Sequence, residues 1–446
     1  MNLSELLKKD GELCSCGKKH YALIKKAIIG KGVVNQIVDV AKEYKAKSVF
    51  MLSDLNTYKV GGEKVEKLLI NSGIKVNSYV YPTDKPIAPD EKTVGDAILH
   101  YVPSDMVVTV GSGVLNDTGK LVAKTANLPY CVVGTAPSMD GYASGSSSME
   151  VHGHKSTIQS KCPEVVIGDT DILKTAPSEM LRSGVGDIIA KYVSICEWRI
   201  SNIINGEYYC EKIANMMNEA VSEVVQRASK LMERDDKAIE SVMNALVLAG
   251  MAMNYAEITR PASGIEHYFS HIWDMKGLAF GDKVYLHGIQ CGAGTSETLG
   301  LYEYLLNITP NKEKALKYVK SFDEQKHNEK MVAFIGEGAN GMIALNKKED
   351  KYNVEKHAKR LDVILEKWED IKALISKLPK KADIESLLNS IGAPKNASSL
   401  GKSNIEIATA LNFTKDIRDK YVVSRLMWDL GVLDDAIEKI YGVENI

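Results

Sequence analysis

Two histidines four positions apart, His267 and His271, stand in the run RPASGIEHYFSH (260–271), and a third, His287, opens a glycine-containing stretch at YLHG (285–288). On a helix an i, i+4 pair faces one side. Three of the nine histidines of the chain thus fall within positions 267–287. Asp187, in GVGDIIAKY (184–192), adds a carboxylate at the start of a helical pattern. One carboxylate with imidazoles makes a borderline-hard donor set suited to Zn²⁺, Ni²⁺ or Fe²⁺, and three protein ligands leave a coordination position open to substrate. Spacing alone does not say which of the two helix histidines is the ligand.

A second chemistry is written in glycines. The apolar run Met106-Val107-Val108-Thr109-Val110 leads into Gly111-Ser112-Gly113 and then Val114-Leu115-Asn116-Asp117. Glycine lets backbone approach a pyrophosphate, and the amides at a new helix N-terminus stabilise its charge. The pattern departs from the usual dinucleotide fingerprint, because Asn116 stands where a third glycine belongs and the acid after a strand, Asp54, precedes the glycines. A second loop, GTAPSMDGYAS (134–144), gathers hydroxyls and a carboxylate behind the strand YCVV. The C-terminal edge of an open α/β sheet is where ligands bind. A further candidate, Cys14-Ser15-Cys16-Gly17-Lys18-Lys19-His20, has zinc-ligand types without the paired spacing of a finger, and is read as a plain turn.

Taken in this order, GSGVLND (111–117), GTAPSMDGYAS, GVGDIIAKY, RPASGIEHYFSH and YLHG resemble the iron-containing alcohol dehydrogenase-like superfamily, and within it the glycerol-1-phosphate dehydrogenases of archaea and their bacterial relatives. The resemblance covers most of residues 20–300. It implies cofactor contacts at Asp54, at Gly111 and Gly113 through Val114, Leu115, Asn116 and Asp117, and at Thr135, Ser138 and Ser144. It implies metal ligation by Asp187, His267 and His287, the last through its LHG context rather than its spacing. Asp140, Asp187 and His271 would meet the substrate, with Asp187 and His271 the catalytic pair. The implied cofactors are NAD or NADP and one divalent ion, zinc or nickel ahead of iron. Asp54 would repel a 2′-phosphate, which favours NAD. The implied substrate is a small phosphorylated polyol, glycerol 1-phosphate first, and a homo-oligomer of two or more copies is expected. Two rivals share the architecture: a dehydrogenase of free polyols, and a lyase like 3-dehydroquinate synthase, against which Asp187 speaks because that enzyme type places Glu there. Lys155, Lys191 and Arg260 are the basic residues nearest the motifs, and each has an equal structural explanation.

These residues need a frame to hold them. Short β-rich runs alternate with helical stretches from about residue 22 to 136, and strands such as MVVTV are apolar throughout, as in a parallel sheet covered on both faces. The expectation is an N-terminal extension over 1–21, an α/β dinucleotide-binding domain over 22–170 with a hairpin inserted near 142–160, and an all-helical metal- and substrate-binding domain over 171–446. The Lys- and Glu-rich stretch 348–396 reads as solvated helices. At 446 residues, two domains are the natural count. With 56 Lys plus Arg against 58 Asp plus Glu, no basic excess exists to hold nucleic acid. The N-terminus lacks a signal-like apolar core, no apolar run approaches the roughly 18 residues of a membrane helix, and seven scattered cysteines suit reduced thiols. A cytoplasmic protein without membrane insertion is expected.

Overall fold

The computed structural model describes residues 3–151 and 154–444. Two compact units divide the chain: Met1–Ile188 with Glu211–Thr259, and Ile189–Cys210 with Arg260–Ile446.

The first unit is built on strands β1 (Lys26–Gly30), β2 (Ser48–Asp54), β3 (Lys75–Tyr81), β4 (Met106–Gly111), β5 (Tyr130–Gly134) and β8 (Val165–Asp169), all parallel, in the order β1-β8-β5-β4-β2-β3. β4, β5 and β8 are buried along their whole length, as their largely apolar sequences require, whereas β3 lies at the edge and buries only its last residue, Tyr81. Helices α1 (Ile37–Glu43), α2 (Glu63–Asn71), α3 (Glu91–Leu99) and α4 (Gly113–Ala126) connect them. Ile37, Val65 and Leu69 pack with Met51, Val108, Val133 and Ile167 into one core. The antiparallel pair β6 (Ser146–Val151) and β7 (His154–Gln159) falls within the stretch read as a hairpin.

The order of strands reverses beside β2: β3 follows on one side and β4 lies on the other. This is the topological switch point of a doubly wound sheet, where a crevice opens at the strand C-termini. The register pairs Leu52 with Thr109, so Asp54 stands level with Gly111, two residues further along each strand. An acid that precedes the glycines in sequence is thereby their neighbour in space.

The division differs from a boundary at 170/171. α5 (Ser178–Ile189), α7 (Glu211–Leu231) and α8 (Asp236–Ala256) accompany the sheet, while α6 (Lys191–Asn205) belongs to the second unit. α8 shows why: a Cβ on Gly250 would sit 2.8 Å from the carbonyl carbon of Ala143, and Met243 reaches Gly134 and Gly168 of β5 and β8. A helical pattern announces a helix, not the core that the helix serves.

The second unit is helical. It contains α6, α9 (Ile265–Phe280), α10 (His287–Leu305) and shorter helices as far as Tyr441. α10 is buried on nearly every side, and its small residues permit that: a Cβ on Gly294 would meet the Glu266 carbonyl oxygen of α9 at 2.7 Å. The charged stretch forms Val354–Glu366, Trp368–Ile375 and Lys381–Ser390, each burying an apolar stripe (Leu361 and Ile364; Ile371 and Ile375; Ile384 and Leu388) under an exposed Lys/Glu face. Among the described residues, no helix is long and apolar enough to cross a membrane.

Candidate metal and cofactor site

In the first unit, α4 begins directly behind β4. Ser112 precedes it without a side-chain cap, so the first amides of α4 take no acceptor from that residue and remain suited to a phosphate. Gly111 is required by packing, since a Cβ there would fall 2.6 Å from Leu115 Cβ. Gly113 has room for more, with Met139 Cγ 3.6 Å from its Cβ position. Asp54 ends β2 and caps the short helix Leu55–Thr57: the Thr57 amide donates to its Oδ1 at 2.7 Å, which leaves Oδ2 for a ribose hydroxyl.

Other residues read as cofactor contacts have side chains committed to the protein. Asn116 is fully buried, donating from Nδ2 to the Gly141 carbonyl (3.2 Å) and accepting from Tyr130 Oη (3.0 Å). Lys120, also fully buried, donates from Nζ to Asp117 Oδ1 (3.0 Å), Ser144 Oγ (3.0 Å) and the carbonyls of Gly141 (2.6 Å) and Ser146 (3.0 Å). Asp117 Oδ2 accepts the Ser148 amide at 3.1 Å. Asn116, Asp117 and Ser144 thus shape the loops around α4 through side chains engaged by the protein itself. Sequence reading missed Lys120, because a lysine on an amphipathic helix looks solvated. Thr135 and Ser138 are buried in the loop after β5, where the Thr135 amide donates to the Gly111 carbonyl at 3.1 Å.

That loop also reaches α5. A Cβ on Gly184 would lie 1.9 Å from the Pro137 carbonyl oxygen, so only glycine admits this approach. The Ser183 hydroxyl donates to the Ser138 carbonyl at 2.8 Å. One turn on, Asp187 is fully buried and its Oδ2 accepts the Asp140 amide at 3.0 Å. The structure therefore brings Asp140 and Asp187 together.

In the second unit, His267 and His287 meet across α9 and α10 with ring centroids 5.0 Å apart, and His271 lies 6.2 Å from His287. Both candidate ligands are oriented alike. His267 Nδ1 is 2.7 Å from Glu266 Oε1, and His287 Nδ1 is 3.1 Å from Ser270 Oγ. Each contact engages Nδ1 and turns Nε2 into the nitrogen that a cation takes, as outer partners of metal-binding histidines do. Cys291, one turn after His287, brings its Sγ to 3.6 Å from His287 Nε2, and one donor atom each from His267, His287 and Cys291 lie within 4.8 Å of one another. Cys291 was not read as a site residue, although its i, i+4 spacing from His287 was visible.

Glu266 was also missed, since a glutamate in the first turn of a helix usually faces water. Here it is fully buried beside a second acid, Glu197. A Cβ on Gly264 would stand 2.5 Å from Glu197 Oε2 and 2.8 Å from Glu266 Oε2, so glycine alone fits between the carboxylates. The amides of Gly264 and Ile265, at the N-terminus of α9, donate to Glu266 (2.6 Å) and Glu197 (3.0 Å). Burial pushes both carboxyls above the usual range, and on Glu197 the neighbouring Glu266 adds to it. Glu266 Oε2 has no hydrogen-bond partner among the described residues. A buried acidic imidazole cluster with an orphaned carboxylate oxygen fits a divalent cation. Arg260, by contrast, is consumed structurally: its guanidinium binds Glu207 (2.6 Å) and the Tyr421 carbonyl (2.8 Å).

A parallel sheet with a glycine turn at its switch point, joined to helices that present oriented histidines, defines the class of dinucleotide-linked, metal-dependent alcohol dehydrogenases. The family model described as iron-containing alcohol dehydrogenase matches residues 28–177. A glycerol-1-phosphate dehydrogenase (NAD(P)+) of Methanosarcina barkeri is 32% identical over 278 residues, covering 62% of this chain and 76% of that one. Its counterpart in Halalkalibacterium halodurans is 26% identical over 423 residues, covering 94% and 96%. The chain belongs to the glycerol-1-phosphate dehydrogenase family. Among solved structures, glycerol dehydrogenase from Schizosaccharomyces pombe shares the fold, with TM-score 0.58 at 16% identity over 93% of this chain and 90% of that one.

Proposed function

We propose that this chain interconverts sn-glycerol 1-phosphate and dihydroxyacetone phosphate by hydride transfer, using NAD(P) and one divalent ion held by Asp187, His267 and His287. The observation that carries this is the matched orientation of His267 and His287, each with Nδ1 engaged and Nε2 turned to one donor cluster. When bound, the ion supplies Lewis-acid polarisation of the substrate C2 oxygen and the nicotinamide supplies the hydride acceptor. The first amides of α4 bind the pyrophosphate, and Asp54 Oδ2 accepts a ribose hydroxyl, which selects NAD over NADP. Glu266 holds His267 in the ligating tautomer. His271, one helical turn from His267, takes or returns the proton of the substrate hydroxyl. Asp140, its amide on Asp187, positions the substrate alongside. Imidazole and carboxylate donors place zinc and nickel ahead of iron. The family resemblance supports a homo-oligomer in the cytoplasm.

The test is NAD⁺ reduction with glycerol 1-phosphate and with glycerol, on enzyme loaded in turn with zinc and nickel. We expect kcat/KM for the phosphorylated substrate to exceed that for glycerol by at least about a hundredfold. Equal values would make the chain a free-polyol dehydrogenase, and turnover of substrate without net NADH would make it a lyase. Asp54→Ser should shift the NADP-to-NAD ratio of kcat/KM upward by about tenfold.

A further inference from the structure

The Cys14–His20 segment does more than turn. Leu13 and Lys19 pair as an antiparallel bridge, the Cys14 amide donates to the Lys18 carbonyl (2.9 Å), and the Gly17 amide donates back to the Cys14 carbonyl (2.9 Å). Gly17 has φ +86°, which closes the turn tightly. The result is a small knuckle with both sulfurs on one side. Cys16 Sγ is 3.4 Å from His20 Nε2, and one donor atom each from Cys14, Cys16 and His20 lie within 4.8 Å of one another.

Three features distinguish this from a chance cluster. First, His20 Nδ1 is 2.8 Å from the Tyr255 carbonyl at the end of α8. A carbonyl only accepts, so Nδ1 carries the proton and Nε2 faces the sulfur as a lone pair, the arrangement of a metal-binding histidine. Second, a sulfur and a nitrogen on one tetrahedral zinc ion are about 3.5 Å apart, given Zn–S and Zn–N bonds of roughly 2.3 and 2.0 Å. The observed separation is such an edge. Third, the knuckle is anchored rather than loose: Asp10 accepts from the Tyr255 hydroxyl (2.8 Å) and the Ala22 amide (2.9 Å), and the Leu23 amide donates to Asn254 Oδ1 (3.0 Å).

His20 and Tyr255 line a small pocket with Lys212 and Ile213 in the first turn of α7. Among the described residues, no cysteine is in a disulfide.

We propose that Cys14, Cys16 and His20 bind a zinc ion that clasps the N-terminal segment to the C-terminus of α8. Two thiolates and an imidazole select zinc over the harder ions that suit carboxylate ligands, and the fourth corner of the tetrahedron is open to a further donor. This ion is separate from the one assigned to Asp187, His267 and His287.

Zinc content measured on enzyme purified under reductant tests the idea. The His267→Ala protein should retain one zinc per chain, while Cys14→Ser/Cys16→Ser should lose one equivalent relative to the parent and keep kcat within about twofold. Should the double variant not fold, alkylation of the unaltered enzyme decides: Cys14 and Cys16 should become reactive together as zinc is withdrawn by chelator. A His267→Ala protein without zinc, a double variant with undiminished zinc, alkylation independent of zinc, or a disulfide among these cysteines in freshly purified enzyme would each overturn the assignment.

Discussion

Two buried carboxylate–imidazole pairs lie in the second unit with the same separation and opposite surroundings. His267 Nδ1 is 2.7 Å from Glu266 Oε1, and His327 Nε2 is 2.7 Å from Asp416 Oδ2. Asp416 is fully supplied: Tyr352 donates its hydroxyl at 2.6 Å, Lys415 lies at 3.6 Å and Arg425 at 3.5 Å. Glu266 instead shares its wedge with Glu197 and leaves one oxygen without a partner among the described residues. A buried charge persists where it is paired. The Asp416 cluster balances its charge with the chain's own cations in direct contact, while Glu266 is pressed against a second acid, with Lys191, Lys420 and Arg260 offsetting the pair only in part. The first is a fastening, and the second is the one proposed to be completed by an ion.

Substitution separates the two. His267→Ala should lower kcat/KM by about three orders of magnitude or more, because it removes a ligand of the ion that polarises the substrate. Its melting temperature in the metal-free state should stay near that of the parent. Asp416→Asn should do the reverse, keeping metal content and kcat but losing about 3 kcal/mol or more of stability, since Lys415 and Arg425 are left buried without their counter-charge. Denaturant titration beside steady-state kinetics reads both, and a destabilised but active His267→Ala enzyme would break the contrast. Glu266→Gln is a smaller perturbation. It keeps a hydrogen bond to Nδ1 but withdraws the carboxylate that strengthens the imidazole as a ligand, so metal affinity should fall roughly 10–100-fold while the fold is retained. Competition with a metal-indicating dye measures it.

Much of this was legible in the sequence. Unbroken apolar strands and a GxG turn predicted the parallel sheet, and residue types with local context marked Asp187, His267 and His287 as candidates, of which His267 and His287 stand together in the structure. The rest depended on tertiary neighbours. Glu266 adjoins His267 in sequence, yet nothing local says that its helix N-terminus is covered. His20 and the Tyr255 carbonyl that fixes its ring are 235 positions apart in the chain. α7 and α8 read as continuations of a helical domain, because amphipathic periodicity reports a buried face without naming its partner. Asn116 and Ser144 were read as cofactor contacts from motif position, and only coordinates reveal that Tyr130 holds the first and Lys120 the second.

Acid should expose the fastening before the fold as a whole yields. Burial works to raise the Asp416 carboxyl, but Lys415, His327 and Arg425 outweigh it and hold the group far below the usual carboxylate range. Burial, with Lys415, also holds His327 below its ordinary value despite Asp416. Both folded values are depressed, so in each case the unfolded chain binds a proton that the folded chain refuses, and stability falls with falling pH. The loss begins with His327 as pH drops through the ordinary histidine value of 6.5 and deepens with Asp416 below 3.8, the ordinary value of an aspartate. Each group contributes a slope of at most about 1.4 kcal/mol per pH unit. Asp416→Asn abolishes the lower stage, so its stability should be flatter below about pH 4 than that of the parent. Parallel curves for parent and variant would mean that Asp416 is not held ionised in the folded state, and the contrast with Glu266 would lose its electrostatic basis.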